Sequence, residues 1–498
     1  MHMKRLVNIL AFVAVLSTGS CSKFLEEDQA GFISPDKYYT TEEQVQAAVN
    51  GTYAGLDDIF TTGIGVAVSP SFLLEYLTGY SYRQRPSDNA DNEFLRLDPV
   101  DPANGHLEQW WRSVYYPLEN CNSVIDNLSR TTFLTESAKN KYLGEVYFLR
   151  AWYYFQGVRL FGDIPLKTTP TTDFTNVHIP KAKQEEVYAQ IISDLKVAEQ
   201  SGLAWTDVSG HVSAGAVKSL LAKVYITMAG YPLRKGNAYY QLAFEKAREV
   251  IGSNEFSLFT SYADLRKNSL KNTGEHIFSL QRDMVISGNM LHFVMMPFPD
   301  LPVTIQPAYG GALAPRIEFY NAYAANDKRK EEQVFFFTKY PEFNNPSNII
   351  QLPVPLIFKY WDDQAEQTGK TGQNFTYLRY ADLLLLCAEA RANLDGGATS
   401  NATAIDAWFD VHQRAFPTSV KPAQLNINDI LKERFLELSF EWQTWFDMLR
   451  TRKALNTTTG QVVDLIGYKA PNHVNPFAAR DLLLPIPLSE VQKNPLLK

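Results

Sequence analysis

Patterns that could support catalysis occur in this chain only as fragments. The eight histidines, His2, His106, His178, His211, His276, His292, His412 and His473, are spread so that no two share a helix face at zinc-site spacing. Gly369-Lys370-Thr371 ends like a phosphate-binding loop, but Gln364 stands where the first glycine belongs, so the segment reads as a turn. Ser213 precedes Ala214 and Gly215, yet His211 holds the place where a hydrolase nucleophile elbow needs glycine, and a helix cap explains the serine better. Asp57 with Asp58 and Asp362 with Asp363 are adjacent acids whose side chains point apart, and such pairs are usually solvated. These readings point to a protein that is not an enzyme and needs no cofactor or metal, with a glycan hydrolase on a helical scaffold as the alternative, since glycosidase carboxylates show no diagnostic sequence spacing.

Recognition chemistry is better represented. Tyr80, Tyr82, Arg83, Arg85, Asn89 and Asn92 fall in one short irregular segment. A saccharide presents apolar C–H faces and equatorial hydroxyls, so its site needs aromatic planes beside amide or guanidinium groups. The two arginines suit peptide termini equally well. Any one of these tyrosines could also be an ordinary half-buried surface ring.

Such residues need a scaffold, and the apolar periodicity supplies a mainly helical one. Val217, Leu220, Leu221, Val224, Tyr225 and Met228 form a stripe with Ser213 placed as N-cap and Gly230 and Pro232 closing it. Leu383, Leu386, Cys387, Ala390 and Leu394 repeat the pattern before Gly396 and Gly397. Leu431, Phe435, Leu438, Trp442, Trp445 and Leu449 predict one continuous helix, with its aromatics in the core. Further stripes run from Val45 to Leu56, Leu107 to Leu128, Tyr142 to Phe161, Val187 to Ala198 and Tyr240 to Ile251, with Pro117 expected to kink the second. Short links between stripes predict antiparallel hairpins stacked as in tetratricopeptide arrays. From Phe256 to Asn374 repeated prolines predict loops and a few short strands, and Phe60 to Asn104 is a second irregular region. Long loops on a rigid scaffold are where binding surfaces usually lie.

The N-terminus sets the compartment. Lys4 and Arg5 precede an apolar run from Leu6 to Leu16, and small residues lead into Cys21, the layout of an export signal. The apolar core is about half the length of a membrane span. A net charge of -7 argues against a nucleic-acid surface. Cys121 and Cys387 sit in apolar helical patterns and read as small buried hydrophobes, without a disulfide. Arg150, Arg159, Asp163, Arg379, Asp382 and Glu389 are embedded among apolar residues and must find partners, which makes them scaffold ion pairs before anything else.

The stretch Phe148-Leu-Arg-Ala-Trp-Tyr-Tyr-Phe-Gln-Gly-Val-Arg-Leu-Phe-Gly-Asp-Ile-Pro-Leu166 resembles the most recognisable segment of the SusD/RagB family, the outer-membrane nutrient-binding lipoproteins. Four other segments follow in the family's order: Cys21 to Glu27, Tyr377 to Asp382 running into Ala388 to Ala390, Glu433 to Glu441 with Trp445 to Arg450, and Leu484 to Pro487 with Asn494 and Pro495. Trp442 and Gln443 stand where the family often has Gly-His, and Gln413 interrupts the run before Arg414. The resemblance implies a SusD-like α-α superhelix, with tetratricopeptide-like hairpins packed against an irregular, loop-rich half. It implies a lipoprotein signal peptide over residues 1–20, an N-terminal part over 21–255 and a C-terminal part over 256–498. Cys21 would carry the lipid and anchor the protein to the outer membrane, facing the cell exterior, with no other membrane contact. The function implied is capture of an oligo- or polysaccharide, or a peptide, for a SusC-like TonB-dependent transporter. The ligand surface would combine the Tyr80 to Asn92 segment with mid-chain loops bearing Phe298 and Tyr309, and further off Tyr360 and Trp361.

Overall fold

The computed structural model describes residues 38–61, 70–86, 89–175, 177–288, 291–298, 301–305, 310–368 and 370–498. The leader, Cys21 and Tyr309 lie outside these ranges.

Helices start where a short polar side chain takes a free amide of the first turn. After α1 (Glu42–Thr61), α2 (Pro70–Thr78) and α3 (Asn89–Arg96) come two long helices, α4 (Gly105–Arg130) and α5 (Glu136–Phe161). Asn104 caps α4 by accepting from His106 N at 3.0 Å, and Thr135 caps α5 by accepting from Ala138 N at 3.2 Å. Then follow α6 (Gln184–Glu199), α7 (Ala214–Ala229) and α8 (Asn237–Ser253). Ser213 is the cap expected for α7, its Oγ accepting from Ala216 N at 3.1 Å. From α4 to α8 each helix packs on the next, the stacked hairpins that the short links predict. From Phe148 to Phe161 every residue of α5 is buried, so this helix is the centre of the stack. α4 continues on both sides of Pro117, and α1 crosses it at Gly55, where a β carbon would come within 2.3 Å of the Pro117 ring.

The next layer comes from far along the chain. α9 (Tyr380–Leu394) packs on both α7 and α8, and α10 (Ala402–Ala415) packs on α9. The loop-rich segment is thus inserted into a continuing helical stack, and one apolar core runs across residues 255 and 256. Its strands pair antiparallel in twos: β1 (Ser81–Tyr82) with β3 (Ala314–Pro315), β2 (His276–Leu280) with β6 (Phe375–Arg379), and β4 (Phe336–Glu342) with β5 (Asn345–Ile357). The last pair is longer than expected from its prolines. A two-stranded ribbon leaves each outer edge unpaired, where Pro341, Pro346, Pro353 and Pro355 can sit without breaking a ladder. Beneath it lies a second small core that includes Met296, Val303, Phe337, Phe358 and Trp361. Among the described residues no helix is long and apolar enough to cross a membrane, and Cys121 and Cys387 are buried and free.

The stripe from Leu431 to Leu449 is two helices, not one: α11 (Ile427–Glu437) and α12 (Thr444–Thr451). Between them Phe440 and Trp442 take φ values of 60° and 55°. Distant side chains claim the carbonyls at the break. Tyr323 Oη donates to Leu436 O at 2.7 Å, Lys359 Nζ to Glu437 O at 2.9 Å, Arg379 Nη2 to Glu437 O at 3.1 Å and Tyr360 Oη to Phe440 O at 2.7 Å. These donors replace the amides that would have extended the helix. The apolar stripe is still buried on both sides of the break, as expected for Trp442, Trp445 and Phe446.

The embedded charges pair as expected, with one exception. Arg150 forks onto Asp194 at 2.8 and 2.7 Å. Asp382 accepts from Lys223 and Arg434, each at 2.7 Å, and Glu389 meets Arg450 at 2.7 Å. Arg379 bridges Glu275, Glu437 and Glu441. Asp163 is less buried and holds Lys183 at 2.9 Å. Arg159 has no carboxylate partner among the described residues; its guanidinium is stacked between Phe155 and Phe446.

Glu75 on α2 is buried and accepts from Trp442 N at 2.8 Å. Burial raises its carboxyl from the ordinary 4.5 to about 7, against the opposing pull of that amide and of Lys359. A raised acid favours folding while protonated and withdraws that contribution as pH rises through its folded value. Glu75→Gln, which keeps the acceptor and removes the charge, is therefore expected to be more stable than the unaltered protein above pH 7. Urea titrations across pH check this, and the advantage should vanish below the ordinary carboxylate range.

Candidate functional site

The segment after α2 is sewn to loops more than two hundred positions away. Tyr82 pairs with Ala314 and Ser81 with Pro315 in the β1–β3 ladder, and Arg316 N donates to Tyr80 O at 2.8 Å. Gln84 N and Arg85 N both donate to Gly311 O, at 2.9 and 3.2 Å, while Gly311 N donates to Met296 O at 2.7 Å. Gly311 has φ 85°, and a β carbon there would lie 2.6 Å from Phe298 Cβ and 3.1 Å from Arg85 Cγ. Only glycine lets the three strands of chain meet so closely.

This stitching produces two aromatic and guanidinium pairs. Arg85 lies over the Phe298 ring at 4.9 Å, and its Nε donates to Gly310 O. Arg316 lies over the Tyr82 ring at 5.2 Å. Both rings are half-buried, and burial raises the Tyr82 phenol, so it stays a neutral hydrogen-bonding group. Tyr82 rests on the second core, which fixes the height of its ring. The arrangement sets aromatic rings beside guanidinium groups, the residue types with which a saccharide site stacks on a sugar and orients its hydroxyls.

The nominated residues distribute unevenly. Tyr82 and Phe298 both lie half-buried on the loops joined through Gly311, each beside an arginine. Tyr80 does not: it is 1 % exposed, stacks on Phe319 at 4.7 Å and accepts from Leu455 N at 2.6 Å, so it is core. It follows α2 directly, and the chain's turn into β1 sends it inward while Tyr82 faces the loops. Arg83 pairs with Asp91, which also holds His106 at 2.9 Å, tying the segment to the starts of α3 and α4. Asn89 opens α3 and Asn92 lies half-buried within it. Trp361 is buried in the second core and Tyr360 is anchored on Phe440 O, so neither offers a free face. Asp362 is likewise buried, accepting from Gln364 N at 2.9 Å, where a solvated acid was expected, whereas Asp363 is exposed and Asp57, paired with Arg282, keeps its side chain 41 % exposed. Arg316 and Gly311 escape a reading of sequence, because nothing local marks a residue whose role depends on a segment so remote.

Two family models match the chain, one described as "SusD family" over residues 310–498 and one as "Starch-binding associating with outer membrane" over residues 32–226. The SusD-like protein P25 of Formosa agariphila is 25% identical, with 99% of this chain and 98% of the relative covered. The structure of the surface glycan-binding protein A of Bacteroides thetaiotaomicron in complex with laminarihexaose shares the fold, with a TM-score of 0.73 at 20% identity over 91% of this chain and 98% of that one. The crystal structure of a SusD superfamily protein from Parabacteroides distasonis superposes with a TM-score of 0.86 at 37% identity, covering 92% of this chain and 98% of that one. A match of that identity, nearly complete in both directions and joined to family models at both ends of the chain, means that this protein belongs to the SusD family.

Proposed function

We propose that this protein captures an oligo- or polysaccharide at the outer-membrane surface and passes it, chemically unchanged, to a TonB-dependent transporter. The observation that carries the reading is the pair of half-buried rings, Tyr82 and Phe298, each beside a guanidinium and held on loops stitched through Gly311. Stacked rings take the apolar face of a sugar, and the arginines address its hydroxyls. The family model described as starch-binding and associating with the outer membrane spans the segment that bears Tyr82 and Arg85, which supports both cargo and location.

Changing Tyr82 and Phe298 together to Ala is expected to weaken glycan affinity at least tenfold, about 1.4 kcal/mol, while unfolding stays cooperative. Calorimetry on a saccharide and peptide panel, with melting curves on the same variants, checks both halves. Undiminished affinity removes this face from the site, a response to peptides alone changes the cargo, and cleaved saccharide ends the non-catalytic reading. The anchor is tested separately. Cys21→Ala should move the protein from the membrane fraction to the soluble periplasm, and retention on carbonate-washed membranes would rule out acylation at Cys21.

A further inference from the structure

Arg159, near the end of α5, is only 8 % exposed and has no carboxylate in hydrogen-bond contact among the described residues. Its guanidinium is stacked between Phe155 at 3.9 Å and Phe446 at 3.7 Å. Rings cover the faces of the group, while its donors lie in the plane at its edges. Nε donates to Phe155 O at 3.0 Å and Nη2 to Gln156 Oε1 at 2.6 Å, both neutral acceptors. Nη1 makes no hydrogen bond among the described residues. Burial pushes the group down to about 9, which leaves it cationic at neutral pH. The charges of Asp447 and Asp382 reach it from further off, but no carboxylate is in contact with it among the described residues.

An anion in contact with this group would have a place to bind. Arg159 lines a cavity of about 230 Å³ between α5, α6, α7, α12 and residues 479–483. Arg450, Arg452 and Arg480 also line it, and no Asp or Glu does. Arg450 is neutralised by Glu389 and Asp447, and Arg480 by Asp481 at 3.3 Å. Arg452 resembles Arg159: it donates to Leu449 O at 2.7 Å, lies over the Tyr231 ring at 4.8 Å and has no carboxylate partner among the described residues. Two guanidiniums without a contacting carboxylate among the described residues therefore face one small space in a chain whose net charge is -7. The remaining wall is largely apolar, with Tyr188, Phe446, Leu449 and Leu483. None of Tyr82, Arg85, Phe298 and Arg316 lines it.

We propose that this cavity is a second binding site, separate from the loop face, that takes the carboxylate of a small organic acid with an apolar body. A planar guanidinium edge matches a carboxylate, and the apolar wall covers the rest of such a molecule. Inorganic phosphate fits less well, because a strongly hydrated ion would lose water against walls that return few hydrogen bonds.

Calorimetry and thermal melting on the full chain, with sodium benzoate, acetate and phosphate at constant ionic strength, test the assignment. Benzoate should bind saturably at one site, acetate at least tenfold more weakly, and phosphate without saturation. Arg159→Met should weaken benzoate at least thirtyfold. Since that variant removes a buried stacked group and could misfold, Leu483→Trp supplies an independent reading. Leu483 lines the cavity and is exposed, so the larger ring should block benzoate and leave saccharide binding at the loop face intact. Absence of saturable benzoate binding, or undiminished binding in Leu483→Trp, would overturn the site. Phosphate binding tighter than benzoate would overturn the carboxylate assignment.

Discussion

Arg379→Met is expected to remove about 3 to 5 kcal/mol of folding stability, the cost of breaking a buried ion network by deleting one partner. Arg379 lies within a buried cluster in which it meets Glu275, Glu437 and Glu441, while Arg329 and Arg414 also meet Glu437 and Lys359 meets Glu441. Methionine keeps most of the volume, so the loss isolates the charge. It leaves the carboxylates of Glu275 and Glu437 buried with fewer cations, and it frees Glu437 O, which Arg379 otherwise helps to hold at the helix break. The cluster joins β6, which carries Arg379, to α11, so the damage should be global. Urea unfolding followed by circular dichroism measures it, and a loss below 1 kcal/mol would mean that the network is screened.

The same cluster sets the acid limit. Burial alone would raise Glu437, but Arg414, Arg379 and Arg329 outweigh it and hold the carboxyl well below its ordinary 4.5. Glu275 is lowered in the same way by Arg414 and Arg379 against its own burial. A depressed carboxyl contributes stability above its unfolded value and loses it as pH falls through the folded one. Stability should thus fall below about pH 4.5, and the fall should be shallower in Arg379→Met.

Trp445→Ala is expected to cost about 3 to 5 kcal/mol as well, through an emptied volume. Trp445 is 2 % exposed on α12 and stacks on Phe477 at 5.9 Å, which ties the C-terminal segment to the helices. The same helix carries Asp447 and Arg450, so a cavity beneath it loosens a second set of buried ion pairs. The melting temperature should drop sharply while the remaining folded fraction keeps its saccharide affinity. An unchanged melting temperature with lost binding would place Trp445 at the ligand.

Helices were legible wherever the apolar repeat and the cap residue agreed, as at Ser213 and α7, because both signals act within a few residues. The embedded charges announced buried pairs for a similarly general reason, since a charge in an apolar run must be compensated somewhere. The partners themselves were beyond reach: Arg150 finds Asp194 and Asp382 finds both Lys223 and Arg434 only once helices stack. The break at Phe440 is the clearest example. Its local pattern favours helix, and four side chains from other segments stop it by taking the carbonyls. The candidate site divides along the same line. Sequence identified a segment rich in aromatic and guanidinium groups, but the turn between α2 and β1 decided that Tyr80 enters the core, and the β1–β3 pairing decided that Tyr82 meets the loops. Arg316 and Gly311 joined the site through pairing across the chain, and Arg159 lacked a carboxylate because of which side chains surround its fixed position. Periodicity and composition report what a segment must bury; which atoms meet there is set by tertiary contacts, whose energies depend on neighbours that the local sequence does not contain.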